Sequence, residues 1–180
     1  MTHQGTLVVV LGAARDGRHS ETVMAAVVAA AKGRGWDVTE VDVRDHPQRQ
    51  ADRDAGDEVL RAVLETADAF VLVAPEYNHG YPGELRMLLD RRQAEFARKP
   101  VGIVAVSAGS VGGARVAQAL LPVLNTIRAV VVQPTVQLSN VREHEDPFTE
   151  QRHEGLLDSM LAELEFYAAP LKEARARRSR

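Results

Sequence analysis

An unbroken run of apolar residues, AFVLVA at positions 69–74, lies between Asp68 and Pro75. A strand that is apolar on both faces is covered on both faces, so this run predicts a central strand of a sheet with helices on either side. Pro75 then removes one backbone donor, and the glycines and prolines that follow break any regular ladder. We therefore expect an exposed loop with free amides after this strand, followed by an amphipathic helix.

The rest of the chain alternates between strands and helices joined by short connections. Strands are predicted at residues 6–11, 36–42, 69–74, 100–107 and 130–132, and helices at residues 20–34, through 59–64, after Gly83, at 113–127 and from 149 to about 174. A polar loop of unusual length covers residues 44–56. Pro122 lies inside the fourth helix pattern, where a proline costs about 3 kcal/mol, so a kink or an early break is expected there.

This alternation predicts an α/β protein with a parallel sheet, helices on both faces and right-handed crossovers. Two strand orders are common for such a sheet, and the loops favour the order 2-1-3-4-5. In that order the first, third and fourth strands are neighbours, so the loops at residues 12–20, 75–82 and 107–113 meet at the carboxyl edge of the sheet, beside the switch point. The sequence therefore predicts one ligand crevice built from these three loops.

Two of the loops offer groups that suit a phosphorylated, flat ligand. GAARDGRHS, at residues 12–20, combines amides at a helix start with Arg15, Arg18 and Ser20, which are the donors and charges that a phosphate needs. The alternative is that Ser20 caps the helix and the arginines are solvated. SAGSVGG, at residues 107–113, is small and glycine-rich, so its backbone can approach a flat ring, although a tight turn explains it equally well.

Two better-known nucleotide fingerprints do not match these loops. Gly12 and Gly17 have the spacing of a P-loop, but Arg18 and His19 follow in place of Lys and Ser or Thr. Neither glycine loop matches G-x-G-x-x-G, the fingerprint of a dinucleotide in a Rossmann site. A bound mononucleotide therefore fits the loops better than a kinase site or a dinucleotide site.

Composition bounds the classes of function. A length of 180 residues with 45% hydrophobic residues fits one domain over residues 1–180. The net charge of -3 gives no reason to expect nucleic acid as a partner. The sequence has no cysteine, and no histidine spacing fits a structural zinc site, so no metal site is expected. No apolar run approaches the roughly 20 residues that span a bilayer, and no Lys or Arg precedes the first apolar run, so we expect a cytoplasmic protein without membrane contact.

The three loops together are recognisable. GAARDGRHS, PEYNHGYPGELRMLLD and SAGSVGGARVAQALLPVL, in this order and spacing, resemble the NADPH-dependent FMN reductase family over nearly the whole chain. The most specific element is PEYN followed by Pro-Gly and a leucine-rich helix that ends in Leu-Asp. The resemblance implies a flavodoxin-like fold, bound FMN, NADPH or NADH as reductant, a small-molecule electron acceptor such as a flavin, quinone, azo dye or metal oxyanion, and a homodimer or homotetramer.

The resemblance also implies roles for individual residues. The FMN phosphate is expected at Arg15, Arg18 and Ser20, the isoalloxazine along Pro75, Glu76, Tyr77 and Asn78, and its pyrimidine edge at Ser107, Ala108, Gly109 and Gly112. The family commonly has Ser or Thr where this chain has Ala13 and Ala14, so phosphate binding depends more on Arg15 and on backbone donors. Trp usually follows the Leu-Asp pair, where this chain has Arg91, and this change bears on helix packing between subunits.

The implied mechanism is a ping-pong scheme, in which a hydride passes from the nicotinamide to the flavin and then to an acceptor in the same place. No protein acid or base is required, so no catalytic residue is assigned, and Tyr77, His79 and Tyr81 are candidates for lining the acceptor pocket. The alternative is a flavodoxin-like electron carrier that binds FMN but takes no hydride from NAD(P)H. A carrier presents an acidic docking face, whereas the predicted rim here is rich in Arg and His, which favours the enzyme.

Overall fold

The computed structural model describes residues 4–47, 57–141, 148 and 151–178, so most of the polar loop expected at 44–56 and the predicted helix start at 149 lie outside the described residues. Strands β1 to β6 are Thr6–Leu11, Asp37–Asp42, Ala69–Pro75, Pro100–Val106, Val130–Val131 and Val136–Leu138. Helices α1 to α6 are Ser20–Gly33, Glu58–Thr66, Gly83–Arg91, Gln93–Phe96, Ala114–Thr126 and Gln151–Arg178. Of the helices that the structure describes, none is both long and apolar enough to cross a membrane.

The described strands pair in parallel in the order β2-β1-β3-β4-β5, which confirms the predicted flavodoxin-like α/β fold. β1 lies between β2 and β3, with Leu11 opposite Asp42 on one side and Val73 on the other. Because the pairs are parallel, β1, β3 and β4 all end at one edge of the sheet. The loops after these three strands therefore begin side by side, at the switch point between β1 and β3.

The apolar run that follows Asp68 is buried on both faces of the sheet, as its sequence predicts. Val71 and Val73 belong to a core that packs against α1 and α6, whereas Phe70 and Leu72 belong to a second core against α2, α3 and α5. All four side chains are fully buried. Helices on both faces thus fix the position at which β3 ends and its loop begins.

The sheet edge beyond β4 differs from the prediction of a single strand at residues 130–132. β5 pairs with Pro100 and Val101, and a second segment, β6, pairs with residues 104–106 of β4. Pro134 lies between the two segments and has no N–H to donate to a ladder, which explains why the edge strand is interrupted there. β6 also bears on the ligand site, because it ends beside the loop that follows β4.

Two features of the helices also differ from the prediction. Of the kink or early break expected at Pro122, the early break is wrong, since the helix continues to Thr126 with Leu120 and Leu124 fully buried on either side of the proline. The burial of these leucines offsets the loss of one backbone hydrogen bond. The short helix α4 is absent from the sequence-based prediction because its 4 residues are too few to show a helical period.

A buried lysine directly before β4 binds the last backbone carbonyls of helix α2, at the edge of the sheet where the strands begin. Lys99 is 6% exposed, and its Nζ donates to the carbonyls of Leu64 and Glu65 at 2.8 and 2.9 Å. These carbonyls lie in the last turn of α2, where backbone acceptors lack helical partners. Burial, reinforced by the positive charge of Arg175, lowers the pKa of Lys99 to about 8.

We expect the protein to become more stable as the pH rises from about 7 to about 9, by about 1 kcal/mol, because of Lys99. The pKa of Lys99 is about 8 in the folded protein and 10.5 in the unfolded chain, so the unfolded chain binds more protons over this pH range. Because proton binding then stabilises the unfolded chain more than the folded protein, the free energy of unfolding rises as the proton concentration falls. Urea unfolding at the two pH values measures the change. Lys99→Gln should abolish the rise, and a rise that persists in this variant would assign it to another group.

Candidate functional site

A cleft with a cavity volume of about 90 Å³ opens at the carboxyl edge of the sheet, where β1, β3 and β4 end. The residues that line it are Arg15, Arg18, His19, Ser20, Pro75, Glu76, Tyr77, Val106, Ala108 and Val141. The cleft thus brings together predicted residues of all three loops, whereas Asn78, Ser107, Gly109 and Gly112 belong to the same loops without lining it.

The first loop leaves β1 in close contact with β3 and α3. The Gly12 N–H donates to the Val73 carbonyl at 2.9 Å, and a Cβ at Gly12 would lie 2.9 Å from Leu85 Cδ2. A larger residue would require the Leu85 side chain to shift, so glycine suits this close approach at the start of the loop. Arg15 follows as an exposed residue, with its guanidinium 5.6 Å from the centroid of the Tyr77 ring, a cation–π distance.

Ser20 is the first residue of α1 and does not cap the helix. The N-cap position belongs to His19, which makes no side-chain cap hydrogen bond, so the interpretation of Ser20 as a helix cap is wrong. Ser20 is 2% exposed, and its Oγ has no hydrogen-bond partner among the described residues. A buried hydroxyl beside the positive end of a helix dipole suits an anionic oxygen of a ligand.

Arg18 lines the cleft, but its guanidinium is bonded within the protein. Nε donates to Glu21 at 3.0 Å, Nη1 donates to Asp42 at 2.9 Å and to the Ala13 carbonyl, and Nη2 donates to the second Asp42 oxygen. The Arg18 side chain is only 2% exposed. Since a guanidinium has five N–H groups, these bonds leave one N–H of Arg18 for a ligand. The predicted contact between Arg18 and a phosphate therefore stays a prediction, with little donor capacity to support it.

The segment after β3 forms a tight turn, in contrast to the irregular loop that its prolines and glycines predict. Tyr77 and Gly80 exchange two backbone hydrogen bonds of 2.9 Å, and the residues between them, Asn78 and His79, have φ angles of 49° and 66°. Two consecutive residues at positive φ are typical of a type I′ turn. A left-handed histidine is uncommon, and backbone strain of this kind clusters at functional sites.

The three residues expected to line an acceptor pocket are not brought together. Tyr77 lines the cleft, and His79 is exposed on the adjacent turn. Tyr81 instead lines a groove between α3 and α5, where its hydroxyl accepts a hydrogen bond from Arg86 Nη1 at 3.1 Å. Of Tyr77, His79 and Tyr81, Tyr77 is thus the residue that lines the cleft.

Glu76 contributes a buried carboxylate to the cleft. Its side chain is 8% exposed, Oε1 accepts a hydrogen bond from Arg115 Nη1 at 3.0 Å, and Oε2 has no partner among the described residues. Arg115 is absent from the sequence-based predictions, although its position in the sequence indicates that an acidic partner lies nearby. It lies in the first turn of α5, where the helix dipole disfavours a cation unless an acidic group is near. The Glu76–Arg115 pair joins the segment after β3 to the start of α5.

Three buried polar atoms of the cleft residues lack a partner within the described part of the chain: Ser20 Oγ, Glu76 Oε2 and the Tyr77 hydroxyl. Burial raises the pKa of Tyr77, so the hydroxyl stays protonated and can donate. A buried polar atom without a partner costs about 1–3 kcal/mol, which a ligand that bonds to it regains. Two hydroxyls and a carboxylate oxygen, with Ser20 at a helix N-terminus, fit a ligand that has an anionic end and a polar ring, as FMN has.

The loop after β4 is held by hydrogen bonds at several points. Ser107 N–H donates to the Leu138 carbonyl at 2.8 Å, and Ser107 Oγ accepts from Gly109 N–H at 3.1 Å. The Gly109 carbonyl accepts from Asn140 N–H at 3.2 Å. Gly113, which the sequence places at the end of this loop but not among the residues that bind the cofactor, has a φ of 73°. The residues that follow β6 therefore support the loop and complete this side of the cleft.

The family model for NADPH-dependent FMN reductase matches residues 6–143 of this chain. The chain is similar to an NADPH azoreductase of Bacillus sp. (strain OY1-2), with 26% identity over 172 residues that cover 94% of this chain and 96% of that protein. It is also similar to an NAD(P)H-dependent FMN reductase of Schizosaccharomyces pombe, with 31% identity over 143 residues that cover 72% of this chain and 70% of that protein. A quinone reductase of Escherichia coli (strain K12) is 34% identical over 113 residues, which cover 59% of this chain and 60% of that protein.

Solved structures share the fold. The FerB flavoenzyme NAD(P)H:(acceptor) oxidoreductase from Paracoccus denitrificans has a TM-score of 0.75 at 23% identity, over 91% of this chain and 97% of that chain. A flavodoxin from the domain Archaea has a TM-score of 0.63 at 12% identity, over 93% of this chain and 99% of that chain. At these identities the likeness shows the fold alone, and the fold is common to reductases and electron carriers.

Proposed function

Because this chain belongs to the NADPH-dependent FMN reductase family, it is an FMN-dependent NAD(P)H oxidoreductase, and we propose that the cleft at the carboxyl edge serves both of its half-reactions. Bound FMN supplies the chemistry of taking a hydride from a nicotinamide and passing it to an acceptor. The observation that carries the proposal is the set of unpartnered buried atoms of Ser20, Glu76 and Tyr77 where the loops meet.

The residues of the chain bind and orient the flavin. Arg15, in the loop before α1, and Ser20, the first residue of α1, both line the cleft, and we expect them to hold the phosphate together with the amides and the dipole of the helix N-terminus. Tyr77, with its protonated hydroxyl and its ring beneath Arg15, offers a donor and an apolar face for the ring end of the cofactor. Glu76 Oε2 offers an acceptor for a ring N–H or a ribityl hydroxyl. No proton transfer by a protein group is needed.

The acceptors that we propose are small molecules of the classes named for the relatives, namely quinones, azo compounds and FMN itself. Such molecules and the nicotinamide would have to use the same open side of the flavin in turn. The exposed guanidinium of Arg15, which lines the cleft, favours the phosphates of NADPH and NADH during encounter.

Steady-state kinetics of the FMN-loaded protein test whether one cleft serves both half-reactions. We expect parallel double-reciprocal plots when NADPH or NADH is varied at several fixed concentrations of a benzoquinone, because the oxidised nicotinamide must leave before the quinone binds. Intersecting lines would show that both substrates bind at once and would contradict a shared cleft. A protein that binds FMN but oxidises neither NADPH nor NADH would be an electron carrier.

We further propose that the chain acts as a homodimer or homotetramer in the cytoplasm, where NAD(P)H is available. A groove of about 450 Å³ between α3 and α5 supports an interface there, since Tyr81 and Val123 are half-buried and Pro122 is exposed along it. Size-exclusion chromatography with light scattering measures the assembly, and a monomer at micromolar concentration would contradict it. Fractionation of cells tests the compartment.

A further inference from the structure

Arg18 is fixed in place before any ligand binds. Asp42 ends β2 directly beside the end of β1, and it accepts two hydrogen bonds from the guanidinium of Arg18. Both side chains are largely buried, with exposures of 2% for Arg18 and 15% for Asp42. A two-pronged bond between a guanidinium and a carboxylate is geometrically specific, so Arg18 has little freedom to turn towards a ligand. Arg15, in the same loop, is exposed.

The third partner of Arg18 is the Ala13 carbonyl, and this bond orients the next amide. In a trans peptide the C=O group and the following N–H point in opposite directions. The Ala13 carbonyl points towards the Arg18–Asp42 pair, on the β2 side of β1. The Ala14 N–H therefore points towards the β3 side, on which the cleft opens. Within the described residues this N–H has no acceptor.

Arg18 also compensates the charge of Asp42 beside the phosphate loop. The neighbouring Arg44 adds a backbone N–H bond of 2.9 Å to Asp42 Oδ1 and a side-chain contact of 3.5 Å to Oδ2. Without Arg18, a largely buried carboxylate would lie next to the site of an anionic ligand and would repel it. The pairing therefore makes the loop suitable for a phosphate even though Arg18 itself is not turned towards one.

We propose that Arg18 is a positioning residue for the FMN phosphate: it directs the Ala14 amide into the cleft and neutralises Asp42, while Arg15 and Ser20 make the side-chain contacts. This inference rests on the FMN site proposed above and deepens it. It also explains how the loop provides a donor at positions where the chain has Ala13 and Ala14 in place of hydroxyl side chains.

Arg18→Lys tests the inference, because lysine keeps the charge but cannot bond Asp42 and the Ala13 carbonyl together in the same fork. The dissociation constants of FMN and riboflavin for the apoprotein are measured by quenching of flavin fluorescence. We expect FMN binding to weaken by about tenfold or more and riboflavin binding to change by less than about twofold, since riboflavin has no phosphate. Equal weakening of both flavins would indicate a general structural defect and overturn the proposal, as would an unchanged affinity for FMN.

Asp42→Asn, with Glu21→Gln as its matched control, separates positioning from direct contact. Each substitution removes one negative charge that is bonded to Arg18, but only Asp42 forms the two-pronged bond. If Arg18 positions the loop, Asp42→Asn weakens FMN binding and Glu21→Gln leaves it unchanged. If Arg18 contacts the phosphate, both substitutions release its guanidinium and tighten FMN binding, which overturns the proposal. Failure of the wild-type apoprotein to bind riboflavin or FMN would instead contradict the proposed function.

Discussion

Replacing Gly113 by alanine should destabilise the protein by about 3 kcal/mol and weaken its binding of flavin. Gly113 has a φ of 73°, and a Cβ there would lie 2.9 Å from Ala105 Cβ and 3.0 Å from the backbone nitrogen of Val106. These atoms belong to β4, which is buried in the middle of the sheet and cannot move aside. The loop after β4 and the first turn of α5, with Arg115, must therefore shift.

Gly112→Ala is the matched control, because Gly112 has a similar φ of 66° but its Cβ would meet its nearest atoms at an ordinary 3.6 Å. It should lose only about 1 kcal/mol, from the positive φ. Urea unfolding followed by the fluorescence of Trp36, the one tryptophan in the sequence, measures both variants. Equal losses of stability in the two variants would refute the close approach of Gly113 to β4.

Arg15→Ala should weaken the binding of FMN by about 10- to 150-fold while leaving that of riboflavin nearly unchanged. A hydrogen bond to a charged group contributes about 1.5–3 kcal/mol, which corresponds to this range of dissociation constants. Arg15 is exposed, and its guanidinium makes no hydrogen bond or ion pair with the described residues. Within the described part of the chain, its guanidinium makes a cation–π contact with the Tyr77 ring. It is therefore free to bond a phosphate, in contrast to Arg18.

Arg61→Ala is the control for the loss of one positive charge, because Arg61 lies on α2, where it pairs with Glu58 and Glu65. Titration of each apoprotein with FMN and with riboflavin gives the ratio of the two affinities. We expect that ratio to fall in Arg15→Ala and to stay at the wild-type value in Arg61→Ala. A wild-type ratio in Arg15→Ala would place the phosphate away from this loop.

The elements that the sequence predicts well are those with an uninterrupted hydrophobic pattern. β1 begins and ends where the prediction places it, and its residues 7–11 are all buried. β6 has only 3 residues, which are too few to show a hydrophobic pattern. It forms because the second half of β4 has backbone groups that no other described strand pairs with on that side. Propensity and periodicity describe local segments and carry no information on such pairings.

The same division applies to the cleft. The order of the strands follows from the loops, and it correctly brings Arg15, Ser20 and Tyr77 to one edge of the sheet. The partner of Arg18 is decided by register, because Asp42 reaches the first loop only when it lies opposite Leu11. The sequence shows an arginine after one strand and an aspartate at the end of another. It does not show that the two side chains are hydrogen-bonded to each other, which leaves the arginine few donors for a ligand.

Anaerobic mixing of the FMN-loaded protein with NADPH or NADH, followed by addition of a quinone, tests the central claim most directly. We predict that the visible absorption band of the bound flavin bleaches with at least one of the two nicotinamides and returns when the quinone is added. A flavin that binds in a fixed ratio to the protein but stays oxidised with both nicotinamides would contradict the assignment of an NAD(P)H-dependent reductase and identify an electron carrier.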